Sequence, residues 1–270
     1  MRIGVLVSLS KDIKNTFKRV TDMGIYSCQL CCWDMTLYTD EMAELVKEAM
    51  KEYGVEVSAV WAGWSDPVIW NFYDGPHSLG LVPVAYRHKR LDELKAGSDF
   101  AEKIGVTDVI THVGYIPEVP STSEYQGLIV ALKDLANYMK KKGQYFLFET
   151  GQETPTTLRR TIDDVGTGNL GVNLDPANLI IYGKGNPVDA LDLIGPFVRN
   201  VHGKDAVYPV DGRHGGKEKR LGDGKVNYPA FIARLKEFGY DGCITIEREI
   251  SGEEQDRDIA YAKELLESLF

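Results

Sequence analysis

Eight short apolar runs recur along the chain, each parted from the next by a longer amphipathic stretch, and this alternation limits the fold more than any other feature. The runs are Ile3–Val7, Ser27–Cys32, Val55–Trp61, Asp108–Val113, Tyr145–Glu149, Leu170–Asp175, Val198–His202 and Gly242–Glu247. Most are rich in Val, Ile, Leu and aromatic residues and too short for helices, so they predict buried parallel strands. Helical patterns fill the intervals, among them Lys11–Met23, Thr39–Tyr53, Leu91–Ile104, Gln126–Lys142 and Tyr228–Phe238, and Glu253–Leu269 closes the chain. Several of these are followed by a glycine (Gly24, Gly54, Gly105, Gly143, Gly239) where a left-handed cap turns the chain toward the next strand. About eight β-then-α units in 270 residues predict one α/β domain over 1–270, a closed (β/α)8 TIM barrel. The rival is an open doubly wound sheet. No Gly-x-Gly-x-x-Gly follows the first run, which removes the nucleotide-binding reason to prefer it.

Two connections are long: Ala62 to Arg87, after the third strand, and Gly203 to Asn227, after the seventh. Long irregular segments in a compact domain are usually lids or binding loops. Both follow the carboxyl ends of strands, the face on which barrel enzymes place their active sites.

The last four strands each end on a side chain that can bind a metal: Glu149, Asp175, His202 and Glu247. Adjacent strands would bring all four to one height of the barrel mouth. Three carboxylates in a desolvated mouth repel one another and raise each other's pKa values. A divalent cation removes that penalty. Three oxygens and one imidazole nitrogen suit one Mn²⁺, Mg²⁺, Co²⁺ or Zn²⁺ ion with positions left for substrate. The lack of thiolate ligands argues against a closed structural zinc site. A single acidic residue at a strand end is more often a helix cap, and Asp175 before Pro176 fits that role too.

The segments Glu149-Thr-Gly-Gln-Glu-Thr154, Asn173-Leu-Asp-Pro-Ala-Asn178, Val201-His-Gly-Lys-Asp205, Leu221-Gly-Asp-Gly224 and Thr245-Ile-Glu-Arg248 resemble the xylose-isomerase-like barrel superfamily. Within it the chain looks like the sugar phosphate isomerase/epimerase branch. The resemblance implies a (β/α)8 barrel in which Glu149, Asp175, His202 and Glu247 bind a divalent metal, most often Mn²⁺. It also implies that Glu149 and Glu247 are ligands and acid/base groups at once. A metal that holds a sugar carbonyl and its neighbouring hydroxyl acidifies the adjacent C–H. One carboxylate then removes the proton and another returns it: opposite faces give epimerisation, one face gives aldose–ketose isomerisation. Related epimerases carry Asp-x-x-His after the sixth strand and an Arg beyond the strand-seven histidine. Here Asn178 and Lys204 stand in those regions, as candidates for a substrate hydroxyl and for an oxyanion or phosphate. His112, Gln152, Glu153 and Trp61 are further substrate-binding candidates, Trp64 and Trp70 extend an apolar wall, and Arg213 is a candidate phosphate clamp.

The bulk properties narrow the partners. A net charge of −9 argues against nucleic acid as the main partner. No apolar run reaches the roughly 18–20 residues of a membrane span, and the start lacks the pattern of a signal peptide, so a cytoplasmic enzyme is expected. Cys28-x-x-Cys31 has the outward form of a redox or zinc motif, but residues three apart on a strand face opposite sides and no second pair completes a site. The expected partner is therefore a small sugar or sugar phosphate, with homo-oligomer formation left open. Three other functions use the same barrel: an inosose-type dehydratase, an apurinic-site endonuclease with a three-metal cluster, and a non-catalytic sugar-binding barrel. Only five histidines, with Asn178 where the endonuclease cluster would want a histidine, weigh against the second.

Overall fold

Strands that are apolar on both faces must be covered on both, and here they close on themselves. In the computed structural model, which describes residues 1–270, ten strands form: β1 (Arg2–Ser8), β2 (Ser27–Cys32), β3 (Glu56–Ala62), β4 (Asp108–Thr111), β5 (Tyr145–Glu149), β6 (Leu170–Leu174), β7 (Val198–Gly203), β8 (Asp205–Val207), β9 (Lys217–Lys219) and β10 (Cys243–Ile246). Eight of them make the closed parallel barrel β1-β10-β7-β6-β5-β4-β3-β2. All eight predicted runs are in it. Ten helices accompany them, and the longer ones cover the outer wall: α1 (Ile13–Asp22), α2 (Asp40–Tyr53), α3 (Gly75–Ser78), α4 (Val84–Lys103), α5 (Ser123–Lys140), α6 (Pro155–Val165), α7 (Pro176–Ile181), α8 (Pro187–Ile194), α9 (Tyr228–Glu237) and α10 (Glu253–Glu267). The main apolar core fills the layer between strands and helices. A smaller cluster, including Ala59, Trp61, Ile110 and Leu147, lies inside the barrel. No helix is long and apolar enough to cross a membrane.

Local chemistry explains the element ends. Thr39, Thr122 and Thr154 accept backbone N–H groups at the starts of α2, α5 and α6. The five glycines expected to end helices all have positive φ. Cys28 is buried in the outer core while Cys31 packs against the inner cluster, and all four cysteines are free thiols.

Both long connections are more ordered than the sequence suggests. The first contains α3 and ends early, because α4 begins at Val84 rather than Leu91. Arg90 on α4 is buried, and its guanidinium donates to the carbonyls of Ser65, Pro67, Ser78 and Gly80. One charged group thus satisfies four loop carbonyls and staples the loop to the barrel. The second connection contains the antiparallel pair β8–β9. Asp205, fully buried, accepts the N–H groups of Ala206, Gly222, Gly224 and Val226. A Cβ on Gly224 would stand 2.0 Å from Asp205 Oδ1, so only glycine lets the loop close over that carboxylate.

Candidate metal centre

The parallel register carries four polar side chains to one end of the barrel. Glu149 is the last residue of β5, Asp175 follows β6, His202 lies near the end of β7 and Glu247 follows β10. One ligand atom from each comes within 4.8 Å of the others. His202 Nδ1 sits among the carboxylates, 2.9 Å from Glu247 Oε2, 3.2 Å from Glu149 Oε1 and 3.4 Å from Asp175 Oδ2. Asp175 serves twice. Its Oδ1 accepts the Asn178 N–H at 2.9 Å and caps α7, while Oδ2 faces the cluster.

The barrel interior fixes which nitrogen of His202 faces the cluster. Asp108, clamped by Arg199, can only accept, so Asn200 Nδ2 donates to it at 3.0 Å. Asn200 then presents Oδ1 to Gln29 Nε2 at 3.5 Å, and Asn173 Oδ1 accepts from the same nitrogen at 3.0 Å. Gln29 is left with Oε1, an acceptor, toward His202 Nε2 at 2.7 Å, while Asn173 Nδ2, a donor, faces the same nitrogen at 3.0 Å; the shorter Gln29 contact is the one that Nε2–H makes. Nδ1 is therefore the ring position free to take a proton or a metal. With Nδ1 bare, its lone pair faces three carboxylates, an arrangement that a divalent cation relieves. The donor set fits such an ion: three carboxylates and one imidazole held by an outer hydrogen bond.

The electrostatics match a site built around positive charge. Burial works against ionised Glu149, but His112 and His202 overcome it and hold the carboxyl below its usual range. Burial likewise opposes ionised Glu247, and Lys204 and His202 lower its pKa strongly. Burial pushes the Asp175 carboxyl up. For His202 burial favours the neutral ring, yet Glu149 and Glu247 outweigh it and raise the pKa well above the ordinary value. Lys204 behaves alike: burial disfavours its charge, while Glu247, Glu249 and Asp175 more than restore it. Its ammonium lies 2.8 Å from Glu249, 3.2 Å from Glu247 and 3.9 Å from Asp175.

The other sequence candidates divide. Trp61 Nε1 donates to Glu149 Oε2, Asn178 Nδ2 donates to Glu149 Oε1 at 3.2 Å, and His112 Nε2 stands 3.4 Å from the same Oε1. These three line the cavity above the cluster, about 990 Å³ in volume. His112 Nδ1 is buried with no partner. Gln152 and Glu153 are buried behind the lining, and burial pushes the Glu153 carboxyl up to about 8. Lys204 is buried beside the cluster and does not line the cavity. Arg213 sits exposed at the tip of the β8–β9 connection, outside the cavity, next to the Asp211 turn. Sequence reasoning passed over Gln29, Asn173 and Asn200, and also Trp33, whose ring centroid lies 5.0 Å from that of Trp61. Trp33 stands directly after a predicted strand, which was the available signal. The amides carried none, since a polar residue inside an apolar run gives no hint of its partners.

Residues 17–269 match the xylose isomerase-like TIM barrel family, and the chain belongs to it. A xylose isomerase domain protein from Planctomyces limnophilus is 35% identical with a TM-score of 0.93, covering 99% of this chain and 96% of that one. A D-tagatose 3-epimerase-like protein, 22% identical, superposes with a TM-score of 0.78 over 100% of this chain and 97% of its own. A probable 3-DHS dehydratase from Bacillus anthracis, 16% identical, shares the fold with a TM-score of 0.69 over 99% of both chains.

Proposed function

We propose that the protein is a divalent-metal-dependent isomerase or epimerase of a small carbonyl sugar. The observation that carries this reading is the convergence of Glu149, Asp175 and Glu247 on His202 Nδ1 at the floor of an open cavity. Its kinship with an epimerase-like and a dehydratase barrel agrees with proton-transfer chemistry beside a carbonyl. A divalent ion held by these four residues, Mn²⁺ in our reading, would polarise the carbonyl and acidify the neighbouring C–H. Glu149 and Glu247 act as the acid/base pair, one taking the proton and the other returning it. Both ionise easily despite burial, as a resting base requires. Asn178, Trp61 and His112 hold Glu149 in place and border the substrate. In Glu247→Gln, exchange of the substrate α-proton with D₂O should fall at least a hundredfold, the general range for such groups, while Mn²⁺ still binds. Undiminished exchange would refute the assignment.

One observation favours a second reading. His112 lines the cavity with Nε2 3.4 Å from Glu149 Oε1, and a proton passed from that nitrogen to a departing hydroxyl would make the enzyme a dehydratase. Product mass separates the two, since an isomerase conserves it. A nucleic-acid substrate is disfavoured by a cavity lining that has no Lys or Arg. Four side chains gather in the one cluster of metal-capable groups, where a three-metal centre would need more.

A further inference from the structure

The cavity says more about the substrate than the metal cluster does. At about 990 Å³ it lies at the upper end of the roughly 300–1,000 Å³ that suits drug-sized ligands, and a single hexose is smaller than those. Its lining is also divided. The floor is the polar cluster, and one wall is aromatic from floor to mouth. Trp61 touches Glu149 below; Trp33 lies against Trp61 and Trp64 at centroid distances of 5.0 and 5.2 Å. Trp70 reaches across to His112 at 5.3 Å. Trp61 and Trp64 are buried, but Trp33 and Trp70 remain 41% and 45% exposed, so their faces are open to a ligand.

This wall is held in place rather than merely hydrophobic. A Cβ on Gly63 would stand 2.6 Å from the Trp33 ring, so the ring rests on bare backbone. The buried Arg90 guanidinium fixes the loop that carries Trp64 and Trp70. The lining also carries hydrogen-bonding groups, Asp66 and Asn71 on the loop that bears Trp64 and Trp70, and Glu218 and Glu249. Aromatic faces beside carboxylates and amides suit a sugar ring, whose C–H face stacks while its hydroxyls donate. The charge excludes the other common enlargement of a sugar. Five carboxylates line the cavity with no Lys or Arg, and two cations behind the lining are already matched, Lys204 by Glu247 and Glu249 and Arg248 by Glu218 and Asp258. A phosphate carrying about −1.5 to −2 charge would meet like charge there.

We infer that the substrate is an uncharged two-unit carbonyl sugar: the carbonyl-bearing unit sits over the four-residue cluster and a glycosyl substituent stacks on Trp33 and Trp70. This rests on the carbonyl-sugar reading above and narrows it. The test compares one ketose in different dress on the Mn²⁺-loaded protein. The ligands are D-fructose, its 1- and 6-phosphates, and the glycosylated fructoses turanose, lactulose and isomaltulose, which carry the second ring at O3, O4 and O6. Titration calorimetry gives affinity, and deuterium uptake from D₂O gives chemistry. At least one disaccharide should bind about tenfold or more tightly than fructose, and neither phosphate should bind more tightly than fructose. Trp33→Ala and Trp70→Ala should each remove most of the disaccharide advantage while fructose and Mn²⁺ affinities stay within about twofold. A phosphate that binds best, or no disaccharide that beats fructose, overturns the inference. Preferential disaccharide binding without deuterium uptake by any sugar would instead overturn the isomerase reading and leave the glycosyl subsite standing.

Discussion

Gln29 shows how one side chain can set the chemistry of another. Starting from Asp108, each amide orientation follows from the last until Gln29 offers its oxygen to His202 Nε2 at 2.7 Å, the closer of the two amide groups at that nitrogen. The residue touches no substrate; it positions a ligand. Gln29→Met keeps the volume and removes the acceptor, and partners of this kind typically contribute 10–100-fold to metal affinity. Mn²⁺ binding measured by calorimetry should therefore weaken by about that factor, with no comparable loss of thermal stability. Wild-type affinity in the variant would show that the amide chain does not control the imidazole. The four cluster residues were legible because each ends a strand, where register alone decides height. Gln29 was hidden for the opposite reason. It sits in mid-strand beside Cys28 and Leu30, and its role depends on Asn173 and Asn200, residues more than a hundred positions away.

At the level of elements, the β8–β9 hairpin braces the last strand's exit. Glu218 on β9 accepts the Glu249 N–H at 3.1 Å and pairs with Arg248 at 2.9 Å, and Lys204 bonds Glu249 from β7's side. The chain just after Glu247 is thus held from two directions, which keeps that carboxylate over the cluster. Asp205 is the hairpin's anchor, since its two oxygens collect four backbone N–H groups. In Asp205→Asn one oxygen becomes a donor facing donors. Hydrogen bonds to a charged group contribute about 1.5–3 kcal/mol each, so unfolding free energy should drop by at least that much. Limited proteolysis should cut within residues 208–216 sooner than in the parent chain. An unchanged denaturation midpoint would mean the hairpin stands without its anchor. The sequence marked this stretch as a glycine-rich loop because each of the two strands is only three residues long, too short to show alternation. What it lacked was Asp205's contacts, which the barrel supplies only after closing.

For the molecule as a whole, the metal and the proton compete for one atom, and stability should record the contest. Without metal, Glu149 and Glu247 outweigh burial and keep His202 protonated well above its ordinary pKa of 6.5. A group whose folded pKa is raised in this way adds stability that is complete below 6.5 and fades as pH climbs through the folded value. A cation at Nδ1 must displace that proton, so its apparent affinity should rise with pH across the same window. At a hundredfold excess over Kd, binding stabilises by about 2.7 kcal/mol. In a chain of this size that corresponds to an upward shift in Tm of roughly 5–10 °C. The gap in Tm between Mn²⁺-loaded and chelator-treated protein should accordingly be wider near pH 8 than near about pH 6. The metal-free protein should lose stability over that interval as the unfolded chain gives up the imidazole proton that the folded state retains, while the loaded protein changes less. A His202→Asn variant should show neither the proton's contribution nor its pH-dependent replacement. If the gap is the same at both pH values in the parent chain, no proton is displaced at Nδ1, and the imidazole is not a ligand.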